Sequence, residues 1–199
     1  MNDHLIIMVM RLRDEKKYES ICEAAVDLIN SVGFSNTSIS KIAKRAGVSP
    51  ATIYVYFDNK DDLLSKLYLR LKYSISKKIV TPQLIDMSVE DAFKTFWRNL
   101  YNALIADKRS FHFIGQFINS PILNDMCKKE SMEYFKIIHD LYTKGKETGL
   151  LRDYPEQMVC AFTDGSIINL VKKHHSGEYV MNEDEVTVML DVAWNILAL

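Results

Sequence analysis

Apolar residues recur at intervals of three and four along almost the whole chain, and short polar or glycine-bearing stretches interrupt them. From Tyr18 to Val32 the stripe is Ile21, Ala24, Ala25, Leu28, Ile29 and Val32, with Gly33 placed to end it. After Asp58 and Asn59, either of which suits an N-cap, come Leu63, Leu64, Leu67, Tyr68, Leu71, Ile75 and Ile79, and Pro82 lies just beyond. This spacing marks one buried face of an α-helix. A sandwich or barrel needs turn residues at short, regular intervals, and 7 Gly with 4 Pro in 199 residues are too few for that. The expected class is all-α, with about nine helices.

The later helices carry the same punctuation. Ser88-Val89-Glu90-Asp91 resembles a capping box ahead of Ala92, Phe93, Phe96, Trp97, Leu100, Tyr101, Leu104 and Ile105. Ser110 to Phe117 reads as a short aromatic helix, and Asn119-Ser120-Pro121 as a break. Leu123 to Lys146 reads as one long helix closed by Gly149, and Pro155 to His174 as another. Asn182 suits a cap for the last, Glu183 to Leu199. Residues 1–10 contain the apolar run Leu5 to Met10, too short for a signal sequence and followed by charges from Arg11 onward; they read as a loosely held arm. No run approaches the length that a membrane helix needs, so no membrane partner is expected.

Charge excludes a uniformly basic nucleic-acid binder, because 25 basic residues meet 26 acidic ones. The distribution is uneven: residues 1–80 hold 13 basic and 9 acidic residues, whereas residues 81–199 hold 12 and 17. The first part therefore has the sign suited to an anionic partner. The 3 cysteines, Cys22, Cys127 and Cys160, are far apart, which points to neither a disulfide framework nor a zinc site. His174-His175 are adjacent, and neighbours on a helix diverge too far to share a metal. No glycine-rich phosphate loop, G-x-S-x-G or HExxH is present, so neither catalysis nor a cofactor is expected.

The segment from Asn36 to Lys60 points to a function. Thr37 or Ser38 suits a cap for a helix over Ile39 to Ala46, and Gly47 is placed to stop it. Ser49 suits the next cap, with Pro50 at the first helical position and the helix running to about Tyr56. Two short helices joined by Gly47-Val48-Ser49 form a helix-turn-helix, whose second helix can enter the major groove of DNA. Lys41, Lys44, Arg45 and Lys60 supply positive charge against Asp58 alone, and Tyr54 and Tyr56 interleave aromatic hydroxyls. Ile39, Ile42, Ala43, Val48, Ile53 and Phe57 have the spacing of the unit's own core.

Gly33-Phe34, Thr37 to Ala43, Ala46 to Ser49, Thr52 to Phe57 and Asn59 to Leu64, in this order and spacing, closely resemble the TetR/AcrR family of bacterial transcriptional regulators. The resemblance implies an N-terminal helix-turn-helix DNA-binding domain over residues 11–60. It implies a C-terminal helical ligand-binding and dimerisation domain over residues 61–199. It implies phosphate contacts from Tyr54, Tyr56, Lys60 and Thr37 or Ser38. Base-edge positions would be Ser40, Pro50, Ala51, Thr52 and Val55, with Lys41 and Ser49 beside them. Ser40 and Val55 are short, which favours thymine-methyl contact or shape readout over hydrogen-bonded readout.

The expected partners are double-stranded operator DNA, a second copy of the chain and a small-molecule effector, in the cytoplasm. Homodimer contacts are expected at Val159, Phe162, Ser166 and Leu170, and at Met189, Val192 and Ile196, because both helices are apolar on more than one side. An apolar or aromatic effector is expected among Phe96, Trp97, Tyr101, Phe113, Gln116, Phe117 and Tyr134, although such stripes also build plain core. Two other readings stand beside this repressor: a DNA-binding or chromosome-associated factor without an effector, and a helical ligand-binding protein with a vestigial helix-turn-helix.

Overall fold

The computed structural model describes the backbone of residues 3–118, 120, 122, 123 and 125–199, and their side chains except at 3–13, 125 and 126. In chain order the α-helices are α1 (Asp3–Val32), α2 (Ile39–Ala46), α3 (Pro50–Tyr54), α4 (Lys60–Ile79), α5 (Val89–Ala106), α6 (Lys108–Phe117), α7 (Asp125–Glu133), α8 (Lys136–Glu147), α9 (Glu156–Phe162), α10 (Asp164–Ser176) and α11 (Glu183–Leu197). A 3-10 turn, Pro82–Asp86, precedes α5. Among the described residues no strand forms, and Leu151 and Ala198 make one isolated bridge.

The chain divides into two compact units. Unit one is Met1–Leu71 with Arg109–Lys128, and unit two is Lys72–Lys108 with Lys129–Leu199. The division therefore falls inside α4, not at residue 60, and nearly all of α6 belongs to the unit that holds the helix-turn-helix.

Unit one is built by its caps and a small core. Gly33 ends α1 at φ 77°, and its N–H donates to Ile29 O at 2.9 Å. The Ser38 hydroxyl accepts from Lys41 N at 3.3 Å to start α2. Gly47 ends α2 in the left-handed region at φ 68°, which lets Val48 N reach Ala43 O at 3.0 Å. Ser49 then caps α3 by accepting from Thr52 N at 3.1 Å, with Pro50 in the first turn. Ile21, Ile29, Ile42, Ile53, Leu63 and Leu64 are fully buried between these helices. Tyr18 stacks on Phe57, with ring centroids 5.4 Å apart. From α6, Phe113 and Phe117 are fully buried; both pack on Phe34, and Phe117 stacks on Tyr68 at 4.7 Å.

At Gly47 an added Cβ would meet nothing within 4 Å, so only the backbone conformation resists a side chain there. Gly47→Ala is expected to cost about 1–2 kcal/mol, the left-handed penalty of an L residue. Scanning calorimetry should show a fall in Tm of roughly 4 °C, and an unchanged Tm would contradict the strain argument.

In unit two, α5 is the central helix. Ser88 caps it by accepting from Asp91 N at 3.1 Å, and Phe93, Phe96, Trp97, Leu100 and Tyr101 are buried along it. A full capping box starts α11: Asn182 Oδ1 accepts from Glu185 N at 3.0 Å, and Glu185 Oε2 accepts from Asn182 N at 2.9 Å.

Several boundaries differ from the sequence expectation. The backbone of α1 is helical from Asp3, so residues 3–10 continue a helix where an arm was expected. As a helix, α3 ends at Tyr54, before the expected Tyr56. The long helix expected from Leu123 to Lys146 is interrupted at Tyr134-Phe135, which separates α7 from α8. The one expected from Pro155 to His174 breaks at Thr163, whose φ of -100° and ψ of -82° leave the helical range. Asn119 and Pro121 of the expected break lie outside the described residues.

Candidate nucleic-acid interface and effector cavity

The helix-turn-helix buries one side of α3 and presents the other. Ile53 is fully buried, whereas Tyr54 is 56% and Val55 77% exposed. Ser38, Ser40, Lys41, Ser49, Pro50 and Ala51 are exposed as well. An exposed tyrosine at the end of a helix whose opposite side is core, with an exposed valine just after it, is a surface suited to a partner. Thr52 is half-buried, and its hydroxyl shares a hydrogen bond with Ser49 Oγ at 2.9 Å, so both side chains help to shape the turn.

The polar residues around this surface are more engaged than their sequence pattern indicates. Thr37 is 3% exposed and donates its hydroxyl to Gly33 O at 2.8 Å. That corrects the expectation of a phosphate contact from Thr37, because a buried hydroxyl already donating inward braces the loop before α2. Exposed Ser38 is the member of that pair left at the surface. Lys60 Nζ reaches back to the same loop, donating to Thr37 O at 3.1 Å and Phe34 O at 3.3 Å. Its position is that of a loop brace, where a phosphate grip was expected. Lys41 Nζ donates to Asn36 O at 2.7 Å, and Arg45 pairs with Asp27 at 2.7 Å. Tyr56 Oη donates to Asp14 Oδ1 at 3.2 Å; partial burial pushes its phenol pKa up, and the Asp14 charge adds to the shift. Lys44 is exposed and makes no ion pair among the described residues.

Unit two contains a cavity of about 40 Å³. Phe93, Phe96, Trp97, Tyr142 and Val159 supply most of its apolar wall, and His139, Glu156, Cys160, Thr163 and Asp164 its polar part. This is room for about a water molecule, so an effector could enter only by moving its walls. Asp164 is the notable group. Its Oδ1 accepts from Trp97 Nε1 at 3.0 Å and Thr163 Oγ1 at 3.3 Å. Burial pushes the Asp164 carboxyl up, and the bond from Trp97 opposes that most strongly. Lys72 of α4 lies 4.6 Å from the Phe135 ring centroid; burial pulls its ammonium down, against the attraction of Asp164. His139 and Glu156 pair at 3.1 Å on the cavity wall. Cys160 is exposed at its surface, but desolvation where it adjoins the cavity, with the Asp164 and Glu156 charges nearby, pushes its thiol up to about 11.

Of the expected effector residues, only Phe96 and Trp97 line this cavity. Phe113, Gln116 and Phe117 belong to unit one, where the two phenylalanines are core. Tyr101 is buried on α5 outside the cavity lining, and Tyr134 packs edge-on against Tyr73 at 5.4 Å and bonds Glu130 at 3.1 Å. Asp164 was missed. Its signal is a carboxylate inside the apolar stretch Val159 to Ile168, which an expectation of dimer contacts had absorbed.

The expected dimer residues divide by exposure. Phe162 at 54% and Val192 at 55% are exposed, together with Met158 at 47% and Val188 at 59%. Ser166 is exposed, and Leu170 and Ile196 are half-buried. Val159 at 7% and Met189 at 9% turn inward and join the protomer's own core, where homodimer contacts were expected. The helical period brings both onto the core side of α9 and α11.

The comparisons agree with this architecture. Residues 21–67 match the family model described as bacterial regulatory proteins, tetR family. Residues 89–198 match that of a tetracyclin repressor-like C-terminal domain. The chain is 25% identical over 187 residues to the fatty acid metabolism regulator protein of Bacillus subtilis (strain 168), covering 87% of this chain and 93% of the relative. A solved TetR family transcription regulator from Marinobacter aquaeolei VT8 superposes with a TM-score of 0.87 at 24% identity, over 94% of this chain and 98% of that one. The Bacillus subtilis transcriptional regulator FadR, solved in complex with stearoyl-CoA, superposes with a TM-score of 0.69 at 22% identity, over 90% of this chain and 97% of that one.

Proposed function

Because the chain belongs to the TetR family of bacterial regulatory proteins, and is thus a helix-turn-helix transcriptional regulator, we propose that it is a homodimeric repressor that leaves its operator when a small, largely apolar effector occupies unit two. The observation that carries DNA reading is the exposed end of α3, where Tyr54 and the following Val55 stand in solvent over a fully buried Ile53. Ser40, Pro50, Ala51 and Val55 are the base-edge candidates; Ser38, Lys44, Tyr54 and Tyr56 are the backbone candidates. The exposed apolar group Met158, Phe162, Val188 and Val192 supports the homodimer. Two reading helices on one symmetric operator then sit about a helical turn, or a multiple of it, apart. The relatives are transcription regulators, which supports a role without catalysis, and DNA as partner supports a cytoplasmic location.

A long acyl chain is the effector class with most support. The Bacillus subtilis relative is a fatty acid metabolism regulator, and a fold neighbour binds stearoyl-CoA. The aromatic wall of the cavity suits an apolar chain, and the short segments meeting at Tyr134-Phe135 and Thr163 give that wall places to move. Release requires that the effector prefer the state that cannot bind DNA. Since α4 runs from one unit into the other, a displaced α4 carries that preference to the helix-turn-helix.

Electrophoretic mobility shift on DNA from the gene's own upstream region tests this, with stearoyl-CoA as probe. Stearoyl-CoA is expected to weaken binding by about 5- to 150-fold. Operator binding that ignores stearoyl-CoA, free stearate and stearyl alcohol alike would remove the acyl-chain reading and leave the regulator in place.

A further inference from the structure

Asp27 divides its carboxylate between two arginines on different helices. Oδ2 accepts from Arg45 Nη2 at 2.7 Å and from Arg45 Nε at 3.3 Å, and Arg45 lies in the last turn of α2. Oδ1 accepts from Arg109 Nε at 2.6 Å, at the start of α6. The Arg109 attachment is threefold. Its Nη2 also donates to Glu23 O at 2.9 Å, and its own carbonyl accepts from Asn30 Nδ2 at 2.9 Å. Glu23, Asp27 and Asn30 follow one face of α1, so a single helical stripe holds both α2 and α6. Asn30 Oδ1 is buried without a partner, a cost tolerated where Asn30 Nδ2 secures the Arg109 carbonyl.

Two guanidiniums gathered around one carboxylate repel each other, and its negative charge offsets that repulsion. Their hydrogen bonds hold the Asp27 carboxyl below the usual carboxylate range, although burial acts the other way. Arg109 is also where the chain re-enters unit one, since Lys108 before it belongs to unit two. A displacement arriving along the chain at this crossing therefore meets Arg109 first.

We propose that Asp27 is a positioning residue for operator binding, through which Arg109 of α6 sets how α2 seats on α1. Its contact with the DNA is indirect. α2 and α3 share the tight turn at Gly47, so a tilt of α2 moves the reading helix, and base readout tolerates only small displacements. The proposal rests on the regulator reading and needs no effector.

The test uses the full chain carrying Arg109→Gln, Arg45→Gln or both, with Lys108→Gln as a control that removes the same charge one residue away. Operator affinity is measured across a salt series, and amide hydrogen exchange is followed over residues 39–46. Arg109→Gln is expected to weaken operator binding roughly three- to thirtyfold and to speed exchange in α2, while the double variant is weakened less than the product of the two singles. Lys108→Gln should behave as wild type. The slope of log affinity on log salt should be unchanged in Arg109→Gln, because no phosphate contact is lost. A slope reduced by about one would make Arg109 a direct phosphate contact and overturn the proposal. Operator affinity within twofold of wild type, with unaltered α2 exchange, would overturn it too. If wild type selects no operator, the regulator reading fails on that result alone, and the exchange comparison still decides whether Arg109 seats α2.

Discussion

Val55→Asp is expected to abolish selective operator binding, lowering affinity by at least about a hundredfold, since like charges brought together at an interface cost several kcal/mol. Val55 follows the last residue of α3 and is 77% exposed, so the substitution removes almost no buried surface. The new carboxylate would stand among phosphates and base edges. It would add repulsion and would have to shed water to let the helix into the groove. Fluorescence anisotropy on the operator measures the loss. Calorimetry should place Tm close to wild type, because surface substitutions of this kind shift stability by only about 0.5 kcal/mol. Retained selective binding would mean that α3 does not read the DNA.

Phe162→Asp combined with Val192→Asp is expected to give a folded monomer whose operator affinity is lower by about 10²- to 10⁴-fold. Both residues are more than half exposed, at 54% and 55%, so neither supports the protomer's own core. In a dimer through this face the two aspartates of each chain would be buried without partners, a far larger penalty than the lost apolar contact. Losing the dimer turns the second half-site contact from an intramolecular event into an independent one. Sedimentation measures the oligomeric state, and the mobility shift measures the affinity. A variant that remains dimeric would move the interface elsewhere on unit two.

The two expectations differ in how much of their basis is local. The helix-turn-helix was legible residue by residue: Ser38 and Ser49 as caps, Gly47 as the left-handed stop and Pro50 in the first turn all act within four residues of themselves. Apolar spacing likewise placed Ile42, Ile53 and Phe57 in a core. Which core a buried residue joins was not legible. Phe113 and Phe117, like Phe93 and Trp97, stand four residues apart on a buried helix side, yet the first pair packs on Phe34 in unit one and the second lines the cavity of unit two. Periodicity reports that a side is buried and carries no information about the partner. Val159 and Met189 belong to the same class of error, being apolar residues on helices with two apolar sides.

Charges were harder still. Lys60 and Arg45 read from sequence as free positive charge beside DNA, whereas Lys60 braces two carbonyls 23 and 26 residues away and Arg45 pairs with Asp27 at a separation of 18. The helix breaks at Tyr134-Phe135 and Thr163 contain neither Gly nor Pro, so nothing local announced them. Sequence alone determined the all-α class and the helix-turn-helix, because each follows from interactions that close within one or two helical turns. Tertiary structure alone decided the sharing of Asp27 between Arg45 and Arg109, the pairing of Trp97 with Asp164 and the inclusion of α6 in the unit that holds the helix-turn-helix. Those contacts join residues 18 to 82 positions apart, and burial and charge pairing over such separations depend on how whole helices pack, which no local pattern encodes.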